Sequence, residues 1–141
     1  MNKFLKSIMF AFVFLFTATV FVACGGDNRT LNIDIEKAYT SAGYSAEETT
    51  ADYSGINFVA AHLVEKGDGV NAVSAKLYMF STQGDAQIFA EMMIGEEGFI
   101  SFRSRNVVLT QMYVGGVKAT SLDATPVVEL QTILSNAWTY S

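Results

Sequence analysis

The chain has 141 residues, with 9 Lys+Arg against 14 Asp+Glu, one His, one Cys, one Pro and 50% hydrophobic residues. Length and composition suit one globular domain and exclude a collagen-like repeat, a disulfide scaffold and an acidic disordered tail. A single cysteine also excludes an intramolecular disulfide and a Cys-based zinc site.

The averages hide a division at residue 24. Six of the 11 Phe lie in the first 23 positions, with Lys3, Lys6 and no acid. The remaining 118 residues carry 7 basic and 14 acidic side chains, a net charge of −7. Met1–Ser7 is short and positive, and Ile8–Ala23 is a 16-residue stretch without charge. That is less than the ~20 residues a membrane-spanning helix needs, and the charge order is that of an export signal. The stretch ends at Phe21-Val22-Ala23-Cys24, followed by Gly25-Gly26-Asp27-Asn28.

These residues resemble the lipobox of bacterial lipoproteins. Ala23 and Cys24 match its two most restrictive positions, and Phe21 stands where Leu is usual. The resemblance implies a signal peptide over residues 1–23 cut by signal peptidase II, and acylation of Cys24 on sulfur, as with palmitate. It covers about 24 residues and implies nothing about the domain beyond. A plain secretory signal or an uncleaved anchor is the alternative. Residues 24–30 then form a tether and 31–141 one domain on the extracytoplasmic side of the cell membrane or the outer membrane. Gly25, rather than Asp, permits the outer-membrane destination. Two or more acyl chains anchor stably, and a charge of −7 is wrong for nucleic acid or anionic headgroups.

In chain order, Ile35, Ala38, Tyr39 and Ala42 have the spacing of one helix face. With Asn32 or Asp34 as cap and Gly43 as stop, this predicts a helix over about 33–43. Glu47–Tyr53 is at best a short edge strand. From Asn57 the residues alternate, and they do so again after Gly67-Asp68-Gly69, which predicts a hairpin. A turn centred near Gly69 pairs Val59 with Met79, Ala61 with Leu77 and Leu63 with Ala75, and sets His62 beside Lys76 on the opposite face. Thr82-Gln83-Gly84-Asp85 has capping-box spacing and opens a helix over about 84–94. Phe99–Arg105 and Asn106–Val114 read as a second hairpin. Thr125-Pro126 then starts a helix over about 126–138.

The order is α-β-β-β-α-β-β-α. It predicts an α+β fold in a single small domain, a mainly antiparallel sheet of four or five strands with helices packed on one face. The pattern is similar to that of many small bacterial lipoproteins and indicates no one family.

Residues able to carry chemistry are few. A triad needs a nucleophile, a base and an orienting acid; the only base of that kind is His62, and no Gly-x-Ser-x-Gly elbow exists. One His does not make a zinc site, and Asp68 sits in a turn without the oxygen ligands of a calcium loop. No phosphate-binding glycine loop is present, and no cofactor is expected. Glu96-Glu97 is a pair of acids in a loop, and Met92-Met93 reads as core. Arg103 and Arg105 alternate on a strand and are candidates to grip one anion or an acidic partner. Phe58, Tyr78 and Phe80 share a sheet face and are candidates for an exposed recognition patch. The expectation is a lipid-anchored binding or accessory domain without catalysis, recognising an envelope protein or a small ligand. The alternatives are a small envelope hydrolase and a structural or assembly lipoprotein.

Overall fold

Strand β4 (Val73–Met79) and strand β6 (Val107–Val114) organise the fold. Both carry apolar side chains on two sides, with Val73, Ala75, Leu77, Val107 and Leu109 toward one and Tyr78 and Val108 toward the other. The computed structural model describes residues 30–50, 53, 56 and 58–140. The signal peptide, Cys24 and most of the tether expected from the sequence lie outside the described residues.

Residues 32–139 form one folded unit. Strand β1 (Leu31–Ile33) is followed by helix α1 (Ile35–Ser41), strand β2 (Ser45–Glu48) and strand β3 (Ala60–Lys66). A short 3-10 turn at Gly69–Asn71 leads into β4. Helix α2 (Gln83–Gly95), strand β5 (Phe102–Ser104), β6, strand β7 (Val117–Lys118), helix α3 (Thr125–Ser135) and strand β8 (Trp138–Tyr140) complete the order. The main sheet runs β2-β3-β4-β6-β5, with β7 also on β6, and every pairing is antiparallel. β1 pairs with β8 in a separate two-stranded ladder. The expected α+β class and element order are present, with β1, β7 and β8 in addition. Those three are two or three residues long, too short to show a period in the sequence.

The helix boundaries follow local chemistry. Asp34 accepts from the Lys37 N–H at 3.0 Å and caps α1, satisfying a donor that the first helical turn leaves unpaired. Thr82 does the same for Asp85 at 3.1 Å. Gly43 adopts φ 91° just beyond α1, the left-handed stop that glycine makes without strain. Helix α3 ends at Ser135 rather than near 138, because Trp138–Tyr140 leaves it to pair with β1.

The helices do not gather on one face. α1 and α3 cover Val64, Ala75, Leu77, Val107, Leu109 and Met112. α2 covers the other side, burying Ala86, Phe89, Ala90 and Met93 against Ala61, Tyr78, Phe80 and Val108. The reason is the two-sided apolar character of β4 and β6: a sheet solvated on one side would leave Tyr78, Phe80 and Val108 in water.

The first hairpin also differs from expectation, by one residue. Ala60 pairs with Met79, His62 with Leu77 and Val64 with Ala75. Ala61 therefore faces α2, and Val59 is 60% exposed rather than core. The 3-10 turn sets this register. Because both faces of β4 are apolar, hydrophobic parity did not distinguish the two pairings.

On the α1/α3 side, the fully buried Tyr39 donates its hydroxyl to the Leu130 carbonyl at 2.8 Å, tying α1 to α3. Tyr44 meets the Tyr39 ring edge-on at 5.7 Å and donates to Glu129 at 3.2 Å. Lys66 reaches the same carboxylate at 3.2 Å.

Burial holds the Tyr39 phenol well above its ordinary pKa, with Tyr44 adding to the shift. Burial, then the charge and hydrogen bond of Glu129, do the same to Tyr44. In the unfolded chain both phenols ionise near ~10, so above that pH the unfolded state binds fewer protons than the folded one. Their contribution to stability is complete below about pH 10 and is lost as pH rises toward the folded values. Denaturant midpoints should fall above about pH 10, and the fall should be smaller in Tyr44→Phe. Truncating Phe89 to Ala should destabilise by about 3–5 kcal/mol in the same assay, since the ring fills the space between α2 and the sheet.

Candidate functional site

Phe58, Tyr78 and Phe80 meet, but not at the surface. The Phe58 ring lies 5.0 Å from Tyr78 and 5.1 Å from Phe80, and Phe89 of α2 closes over all three at 4.8–5.3 Å. Tyr78 is 1% exposed and Phe80 fully buried. Edge-on and tilted rings at these separations are favourable core packing. The expected recognition patch is therefore the hydrophobic core beneath α2. The rings do meet, although not through the expected register, since Phe58 lies just before β3; the sequence pattern did not show that the helix opening three residues after Phe80 folds back over them.

Arg103 and Arg105 are not aligned to grip one anion. Arg103, on β5, donates to the carbonyl of Arg105 at 2.8 Å and to the Gln83 side chain of α2 at 3.4 Å. Partial burial lowers its pKa. Arg105 sits in the hairpin turn with φ 54° and lies 5.7 Å from the Trp138 ring. Trp138 in turn donates to Ser104 at 2.9 Å. The turn breaks the strand alternation that would have placed both guanidinium groups on one side.

His62 lies opposite Leu77, not beside Lys76. Its Nε2 is 3.6 Å from Glu36 of α1, while Nδ1 is buried without a hydrogen-bond partner. A general base needs a nitrogen open to substrate and a partner orienting the other. Here the carboxylate lies near Nε2, and the other nitrogen, Nδ1, is buried rather than open to a substrate. Glu96 and Glu97 are exposed just after α2, and the Glu97 carbonyl accepts from Lys118 at 3.3 Å. Met93 is buried and Met92 packs beside it, as core. Among the described residues no group of three or more His, Cys, Asp or Glu is placed to hold a metal. An open hollow lies between the end of β2 and the start of β3, lined by Glu48, Thr49, Thr50, Ile56, Phe58 and Val59–Ala61; Glu48 is the one ionisable group among these described residues.

A polar constellation that the sequence did not show lies at the border of the aromatic core. Gln111, inside β6, has φ 52°, a conformation disfavoured for a side chain of this size. It sits at a bulge where the β4–β6 register shifts between Ser74 and Lys76, and the extra residue redirects its side chain. Its carbonyl accepts the Tyr78 hydroxyl, and its amide donates to the Tyr53 hydroxyl at 3.4 Å. Lys76, two residues along β4 from Tyr78, projects from the same face and is half-buried. A bulge has no periodic signal, so Gln111 was not legible; Lys76 was visible only as a polar residue in an alternating strand.

Comparison with protein-family models, with curated proteins and with solved structures finds no match to this chain.

Gln111→Ala keeps the left-handed backbone and loses the tyrosine contacts, whereas Gln111→Gly loses the contacts and relieves the strain. In thermal or denaturant unfolding the Gly variant should be the more stable of the two, by about 0.5–1 kcal/mol. The reverse order would show that the positive φ is not what the sequence tolerates at this position.

Proposed function

We propose that this protein is a lipid-anchored, extracytoplasmic binding or accessory domain of the cell envelope, acting without catalysis. The observation that carries the reading is the run Lys3–Lys6, Ile8–Ala23 and Cys24-Gly25-Gly26. It has the charge order of an export signal and a cysteine where a lipoprotein is acylated. The cysteine is unique in the chain, so its thiol has no disulfide to form within the molecule, and acylation gives it a use. The net charge of −7 beyond residue 23 supports attachment through lipid rather than through basic contacts to headgroups. Non-catalytic binding is supported by the placement of His62, whose Nδ1 is buried and out of a substrate's reach.

Metabolic labelling with an alkyne fatty acid, followed by mass spectrometry of the N-terminal peptide, tests the anchor. The wild type should carry label on Cys24 and sediment with membranes. Cys24→Ser should lose the label and shift most of the protein out of the membrane fraction. An unlabelled wild type that remains in the membrane fraction overturns the reading.

A further inference from the structure

We propose that the part of the main sheet's α2-side face that α2 leaves open is a docking surface for a partner protein that brings a carboxylate to Lys76. This rests on the reading of the chain as an envelope binding domain and names the surface and the partner chemistry.

The strand register builds the surface. Glu47, Leu63 and Lys76 lie side by side across β2, β3 and β4. Glu65, Ser74 and Tyr113 make the next row across β3, β4 and β6. Tyr78 is buried, and so is Thr110, which ends the Lys76 row on β6; in these two rows Leu63, Ser74, Lys76 and Tyr113 are half-buried and the two glutamates exposed. Full burial on this face therefore ends between Tyr78 and Lys76 on β4 and reaches one row further, to Thr110, on β6.

Lys76 is the unusual member. It stands on an interior strand between Leu63 and Thr110, yet among the described residues its ammonium has no ion-pair, hydrogen-bond or ring partner. Glu65 is its diagonal neighbour on β3, within reach of a long side chain, and is not engaged. A carboxylate docked over Lys76 would displace water from the pair, and screening there is weaker than in bulk water.

The surrounding charges are sorted. Glu47 and Glu65 occupy the β2–β3 side. Lys76 occupies the β4 side, and Lys118, opposite Tyr113 on β7, lies beyond it. The complementary surface has a carboxylate over Lys76 and basic groups over Glu47 and Glu65. An open sheet face suits a protein better than a small molecule, which binds in concave sites that enclose most of its surface.

The test places a photo-crosslinking amino acid at Leu63 of the full-length chain, in the cells that produce it, and reads the joined peptide by mass spectrometry. The expected result is one other protein, attached through a peptide containing Asp or Glu. Its yield should fall about tenfold or more in Lys76→Glu and severalfold in Lys76→Gln, with unchanged thermal midpoints. The same probe at Val128, on the exposed side of α3, should not capture it. A crosslink only to a second copy of this chain, one insensitive to Lys76→Glu, or none at all overturns the proposal. Anchoring is read separately. Loss of the crosslink with Cys24 still acylated rejects the docking surface alone, and a charge-sensitive crosslink without acylation rejects the anchor alone.

Discussion

Strand β4 presents Val73, Ala75 and Leu77 to one side and Tyr78 to the other, with Phe80 following, and all five are buried. Water is excluded from one side of that strand at Val73, Ala75 and Leu77 and from the other at Tyr78 and Phe80, and the remaining architecture follows from this requirement. Neither helix layer alone would suffice. α1 and α3, joined by the Tyr39–Leu130 hydrogen bond, seal one face. α2 seals the other by lowering Phe89 among Phe58, Tyr78 and Phe80. The main sheet is thus the middle of three layers over part of its area, and among the described residues the α2-side face is less covered beyond Tyr78 on β4.

The polar groups near this core are accommodated in different ways. Tyr39 and Tyr44 bury their rings and find acceptors for their hydroxyls, so their desolvation is offset by hydrogen bonds. Ser101 and Thr110 satisfy each other at 2.8 Å. Gln111 is held in a disfavoured backbone conformation where its amide joins Tyr78 to Tyr53. His62 leaves one nitrogen unpaired in the interior. Lys76 is left without a counter-charge at the edge of α2's cover. It is a cation on a half-buried side chain, and a partner can supply the carboxylate that the described residues do not.

Much of the element order was legible because it rests on local signals. Asp34 and Thr82 each have a side-chain oxygen that caps a helix, Gly43 accepts the positive φ, and the apolar spacing of α1, α2 and α3 follows the helical period. The chemistry of the candidate site was less legible. Arg103 and Arg105 looked like a pair because alternation was assumed to continue through a turn. His62 looked like a neighbour of Lys76 because a turn centred on Gly69 was assumed, whereas a 3-10 turn fills that connection. Both errors concern registration between segments, for which one strand's pattern contains no information when both of its faces are apolar.

By itself, then, the sequence determined the α+β class, the succession of helices and hairpins, and the caps of α1 and α2. These depend on periodicity and on the conformational preferences of single residues. The tertiary structure alone decided that α2 lies on the opposite side of the sheet from α1 and α3, and that Phe58, Tyr78 and Phe80 are core. It also decided that the uncovered surface centres on Lys76. Which helix covers which face is settled by competition between two buried faces for the available helices, and how far a helix reaches along a sheet is settled by packing. Both are properties of the assembled layers, which no local stretch of the chain encodes.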